Sequence, residues 1–254
     1  MLRIDLNADV GESFGAYSLG ADAALMRSIT SASIAAGFHA GDPSVLRRTI
    51  NLAKSHGVAI GAHPGFPDLV GFGRRELHVA PAEAEDFVLY QIAAVAGVAA
   101  AEGVKLQHVK PHGALFNMAV RDAALAAAIA KAVAAFDRSL ILFGLPESQI
   151  LAAGRAAGLR VAAEIFADRA YEPDGSLTPR SRPGSVIHDA AAVAARAVRM
   201  ITERVVDAVD GTIVPLDADT ICVHGDTPGA DQLAASLRAD LESAGVIVKA
   251  VGLP

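Results

Sequence analysis

Three observations predict a single α/β domain built as a parallel (β/α) barrel. Short β-branched runs alternate with longer alanine-rich helical stretches. The 254-residue length matches the roughly 250 residues that such barrels take. Ionisable residues share one parity of several predicted strands. No linker is long or polar enough to demand a boundary, so residues 1–254 are read as one domain.

The predicted elements follow in order. Strand Leu2–Ala8 alternates Ile4, Leu6 and Ala8 with Asp5, Asn7 and Asp9, and Ser33–Phe38 sets Ile34, Ala36 and Phe38 against Ser33, Ala35, Gly37 and His39. Helix Pro43–His56 opens on Asp42-Pro43, a capping carboxylate ahead of a proline at the first helical position. Strand Val58–Ala62 precedes helix Pro81–Glu102, whose apolar part, Phe87–Ala101, is interrupted by Gln91 and Gly97 and is too short to span a bilayer. Leu106–Pro111, Leu140–Gly144 and Val161–Phe166 are strands, with helices Asp122–Phe136 and Glu147–Ala157 between them. Ala167–Ser185 is a turn-rich excursion, read as a lid or binding loop or, equally, as a passive surface loop. Helix Asp189–Val206, strand Thr220–His224, helix Gly229–Ala244 and a late strand Val246–Val251 complete the set. The last helix is predicted to start on Thr227-Pro228 as the first long one does on Asp42-Pro43; its Leu233, Leu237 and Leu241 form a buried stripe closed by Gly245.

Branched aliphatics on one parity should face the helices, which turns the other parity toward the barrel axis. That inward set holds Asp5, Asn7, Asp9, His39, His63, His108, Lys110, His112, Cys222 and His224 among small residues. Barrel interiors are filled mainly by Val, Ile and Leu, so a polar interior at strand C-termini marks a site with room for a ligand.

Composition excludes several classes. With 22 Lys+Arg against 28 Asp+Glu, net charge -6, the chain is not a nonspecific nucleic-acid binder. The one cysteine, Cys222, rules out intramolecular disulfides and cysteine-rich zinc modules. There is no GxxxxGK[ST] loop, no GxGxxG after a strand and no GxSxG elbow. The opening residues lack a signal-peptide run, and the expectation is a cytoplasmic protein.

The candidate catalytic residues are Asp9, His39, His63, Lys110 and His112. DLNADVGES packs Asp5, Asn7, Asp9 and Glu12 so closely that a cation or hydrogen bonds must intervene; a turn-capping cluster is the structural alternative. His39 and Asp42 in GFHAGD, with His63 in GAHPGF, could bind a divalent metal or divide acid–base work, while Asp42 alone reads as a helix cap. The inward Lys110 of VKPHGALFN must meet an anion, either substrate or a structural carboxylate. Candidate substrate contacts are Asn7, Glu12, Asp42, Arg74, Glu164, Arg169 and His224. Arg74 and Arg75 could grip a carboxylate, Asp168 and Arg169 could simply fix the irregular loop, and Cys222 reads as a buried thiol. Whether a metal is bound is left open by these residue types.

DLNADVGESFG, GFHAGDP, GAHPGFPD, FGRR, VKPHGALFN, EIFADRAY and VHGDTPGA together resemble the LamB/YcsF family, in family order over nearly the whole chain. Two positions depart from its usual pattern: Ala36 stands where a cysteine is common, and Phe116 where a tyrosine is common. The resemblance implies a seven-stranded barrel of the glycoside hydrolase/deacetylase type. It also implies cleavage of the lactam of 5-oxo-L-proline to L-glutamate, with ATP as co-substrate, in a complex with subunits B and C. The alternatives are a stand-alone metal-dependent deacetylase or amidase and a noncatalytic scaffold subunit.

Overall fold

Seven parallel strands close into a barrel in the computed structural model, which describes residues 2–252. The elements run β1 (Arg3–Val10), α1 (Asp22–Leu25), β2 (Ser31–Ala35), α2 (Pro43–His56), β3 (Ala59–His63), α3 (Pro81–Ala101), β4 (Leu106–Val109), α4 (Gly113–Ala119) and α5 (Ala123–Phe136). They continue with β5 (Ile141–Gly144), α6 (Gln149–Ala156), β6 (Arg160–Phe166), α7 (Ala190–Thr202), β7 (Val205–Asp207), β8 (Ile213–Pro215), β9 (Thr220–His224), α8 (Ala230–Ser243) and β10 (Ile247–Val248). The barrel order is β1-β2-β3-β4-β5-β6-β9, with β9 returning to β1. The register sets Asp5 beside Thr220, Asn7 beside Cys222 and Asp9 beside His224. Polar side chains of one parity therefore stack in layers along the axis.

The outward parity meets the helices, with Ile4, Leu6, Ile34, Ile60, Val109, Leu142 and Ile221 in the apolar core. Helix α3 is long and apolar enough by length and composition to cross a membrane, which exceeds the shorter apolar stretch expected from the sequence. It lies instead against the barrel, burying Ala84, Val88, Ile92, Val95 and Ala99. Its buried Gln91 donates to the Gly65 carbonyl and accepts from the Gly65 amide, tying the helix to the loop after β3.

The lower interior is a closed hydrogen-bond layer. Thr30 and Ser31 hydroxyls donate to one Asp5 carboxylate oxygen at 2.6 and 2.7 Å, and Thr220 donates to the other at 2.6 Å. Burial outweighs these bonds and pushes Asp5 up to about 6. Nearby, His108 stacks on Phe143 with ring centroids 4.4 Å apart, in space left by the missing side chain of Gly61. The floor is closed by the C-terminal stretch. β10 pairs with Arg3 and Ile4, Gln107 donates to the Val251 carbonyl, and Val251 packs on Ile141, Phe143 and Ala162.

Several boundaries differ from those read in the sequence. β2 ends at Ala35 because Gly37, at φ +93°, turns the chain and its amide closes on Ala40. His39 therefore sits on a turn beyond the strand. Helix α7 stops at Thr202, not Val206; Arg204 takes a left-handed φ of +56°, and Val205–Asp207 pairs with Ile213–Pro215 around an Asp210-Gly211 turn. Thr227 does not cap α8. The N-cap position is Gly229, in the left-handed region, whereas Asp42 does cap α2 through the Ser44 and Val45 amides.

Candidate active site

Lys110 follows directly on β4, and its ammonium is buried at the top of the barrel axis. Nζ lies 2.6 Å from Asp9 Oδ1, 2.9 Å from Glu164 Oε1, 2.8 Å from Cys222 Sγ and 3.3 Å from Asn7 Oδ1. Three strands, β1, β6 and β9, thus converge on one cation. Burial alone would lower the affinity of Lys110 for its proton. The Asp9 and Glu164 carboxylates outweigh it and hold the group well above the ordinary lysine value. Burial likewise pushes Asp9 up, but His63 and Lys110 outweigh it and keep the carboxyl well below its usual range. Asp9 is therefore an ionised anchor and a weak base. Burial pushes the Cys222 thiol up, so it stays protonated.

Beside this pair stand three imidazoles. His63 Nε2 is 3.4 Å from Asp9 Oδ1 and 2.9 Å from His112 Nδ1. The His39 ring stacks on His112 with centroids 3.8 Å apart. Glu12 Oε1 lies 3.9 Å from both His39 Nε2 and His112 Nδ1. Burial, then the Asp9 charge, pushes Glu12 well above the usual carboxylate range. Burial lowers His39 and His112, and neighbouring imidazoles add to the shift. The loops around these rings are shaped for them. A Cβ at Gly65 would stand 2.6 Å from His39 Nδ1, and one at Gly73 2.7 Å from His39 Cβ, so both positions need glycine. Phe72 adopts a positive φ of +54°, uncommon for a bulky residue, and its carbonyl accepts from His112 Nε2 at 2.8 Å.

A cavity of about 890 Å3 opens above these groups, lined by Asp9, His63, Lys110, His112, Arg74, Arg169 and His224 and walled by the 172–182 loop. Of the candidates read from the sequence, these seven reach the cavity. Asn7 and Glu164 stand beneath Lys110, where the Asn7 amide donates to Glu164 and Thr220. Glu12 and His39 stand behind His112 and His63. Asp42 lies apart from the cluster, both its oxygens occupied by the amides of Gly15, Ser44 and Val45. The position expected to contact substrate is thus taken up by capping.

Arg74 pairs with Asp226 at 2.7 Å across the mouth, and Arg75 is held by Asp68 outside the cavity. Arg169 donates to the carbonyls of Ser185 and Thr178, tying the start of the irregular loop to its middle and its end. His224 Nδ1 donates to Asp168 at 2.9 Å, and Arg180 Nη2 donates to His224 Nε2 at 3.0 Å. Burial pushes Asp168 up, but His224, Arg169 and Arg180 outweigh it and hold it below the ordinary value. Sequence reasoning missed Arg180. It lies in a stretch without periodicity, and its basic neighbours in TPRSRPG were the available signal.

A closed parallel barrel whose mouth gathers a buried lysine, carboxylates and imidazoles defines a (β/α)-barrel protein built around a polar reaction centre. More specifically, the chain belongs to the LamB/YcsF family, whose profile matches residues 4–253. It is 56% identical over 251 residues to the 5-oxoprolinase A subunit of Tolumonas auensis, covering 99% of this chain and 100% of that protein. It is 53% identical to the protein of that name from Bacillus subtilis, covering 99% and 98%. Among solved structures, the lactam utilization protein from Thermus thermophilus matches with a TM-score of 0.93 and 51% identity, covering 98% of this chain and 100% of that one.

Proposed function

We propose that this chain is the lactam-cleaving A component of an ATP-hydrolysing 5-oxoprolinase, acting in the cytoplasm with B and C subunits. The observation that carries this reading is Lys110, a buried ammonium paired with Asp9 and facing a cavity at the barrel mouth, in a chain similar along its whole length to 5-oxoprolinase A subunits. The amine and carboxyl of glutamate are held close to each other, so ring closure is favoured by proximity and opening needs a driving reaction. Phosphoryl transfer from ATP to the lactam oxygen supplies it and releases ADP. Water then adds to the ring carbon, the C–N bond breaks with the nitrogen taking a proton, and a second water frees phosphate from the acyl group.

In this scheme Lys110 stabilises the oxyanion or phosphoryl charge that develops in the cavity. Asp9 keeps that lysine in place. The attacking water is activated beside the imidazoles of His63 and His112, while Arg74, Arg169 and His224 shape the walls that receive an anionic substrate. The missing P-loop fits a division of labour in which the partner subunits bind the nucleotide. The test is glutamate formation from 5-oxoproline and ATP, with and without subunits B and C. Release that requires all three proteins and ATP supports the reading. Hydrolysis by this chain alone, without ATP, would replace it with a stand-alone amidase, the reading that the imidazole cluster favours.

A further inference from the structure

We propose that Glu12, His39, His63 and His112 form a binding site for one zinc-class divalent cation. One ligand atom from each of these four buried residues lies within 4.8 Å of the others. The hydrogen bonds behind the rings fix which nitrogens face inward. His63 Nδ1 is 2.7 Å from the Lys110 carbonyl and His112 Nε2 is 2.8 Å from the Phe72 carbonyl. A carbonyl only accepts, so both nitrogens carry hydrogen and donate. The remaining nitrogens, His63 Nε2 and His112 Nδ1, then face each other 2.9 Å apart. Two lone pairs at that separation repel unless an electrophile lies between them.

A single shared proton would relieve only that pair. It would leave His39, 1% exposed, with no hydrogen-bond partner at either ring nitrogen among the described residues. It would also leave Glu12 facing two imidazoles at 3.9 Å without a donor. A cation bound by three imidazole nitrogens and one carboxylate satisfies all four. Backbone carbonyls that orient a ring from behind are the usual support of metal-binding histidines. Three nitrogen donors suit zinc, cobalt, nickel or iron rather than magnesium or calcium, which prefer oxygen. When bound there, such an ion supplies Lewis acidity to a water or carbonyl next to Asp9 and Lys110.

The readout is metal binding by the full-length chain, so the outcome does not depend on the lactam reading. A protein that binds zinc yet supports no glutamate release keeps this site and removes that function. After chelator treatment, the chain is titrated with Zn2+ against a chromophoric chelator and with Co2+ by visible absorption. One ion per chain is expected, with cobalt ligand-field bands that Mg2+ does not displace. His39→Ala and the isosteric Glu12→Gln should each weaken Zn2+ by at least about tenfold. Glu12→Gln guards against a folding defect in the alanine variant. The proposal is overturned if the folded wild type binds no ion stoichiometrically, if Mg2+ displaces cobalt at equal concentration, or if folded His39→Ala or Glu12→Gln binds Zn2+ as tightly as wild type.

Discussion

Lys110 Nζ and Asp9 Oδ1 are 2.6 Å apart, both side chains almost fully buried at the base of the cavity. Each holds the other in its charged form, and Glu164 supplies a second negative charge to the same ammonium at 2.9 Å. Such a pair contributes little net stability relative to apolar residues, but removing one partner leaves the other buried and uncompensated.

Lys110→Met should therefore lower stability by about 3–5 kcal/mol and glutamate release by the reconstituted complex by roughly 100- to 1,000-fold. Lys110→Met combined with Asp9→Asn should recover much of the stability and none of the activity. Thermal unfolding and steady-state turnover of the two variants separate the roles. Turnover restored together with stability would remove Lys110 from the chemistry.

Asp5 makes a prediction about pH. Its folded value, about 6, lies above the ordinary 3.8. The folded protein thus holds this proton more tightly than the unfolded chain. The resulting stabilisation is complete below pH 3.8 and is lost as pH rises through about 6. At about 1.4 kcal/mol per unit the loss approaches 3 kcal/mol. Asp5→Asn lacks this dependence. Urea unfolding of both proteins from about pH 4 to 7.5 should show the wild type losing that amount relative to the variant, and parallel curves would refute the assignment.

Arg169 ties the irregular loop down through two buried carbonyl bonds. Hydrogen bonds from a charged donor contribute about 1.5–3 kcal/mol each. Arg169→Met should make opening of the loop easier by at least about tenfold. Trypsin cleavage after Arg180 would then accelerate by a similar factor, with a higher KM for 5-oxoproline. Cleavage at the wild-type rate would show the loop to be held elsewhere.

Gly61 lies under the His108 ring, and a Cβ there would overlap it. Gly61→Ala should destabilise by about 1–3 kcal/mol, the range for overpacked interiors. Adding His108→Ala should reverse part of that loss, as a double-mutant cycle in urea would measure.

The barrel was legible in the sequence because strand parity separates its two faces so cleanly. Ile4, Leu6 and Ala8 face helices while Asp5, Asn7 and Asp9 face the axis, and that alternation needs no tertiary information. His63, Lys110 and His112 could be placed at the mouth by the same reasoning. Parity puts His39 in the inward set too, but it reaches the cluster on a glycine turn that carries it past the end of β2. Asp42 was ambiguous because an N-cap and a ligand use the same carboxylate. Arg180 and the β7–β8 hairpin were not legible, since each depends on where a loop settles against distant residues. The Asp210-Gly211 turn was present in the sequence, but the alanine-rich periodicity before it carried the predicted helix too far.

The C-terminal stretch has a practical consequence. Val251 stoppers the barrel at the end opposite the mouth, so this part of the chain sits far from the reacting groups. A label or surface tether attached beyond it should leave the cavity unobstructed. Deleting the segment from Ile247 onward should instead let water in from below, draw the Asp5 proton affinity back toward that of a free carboxylate, and loosen the ring of strands at its seam.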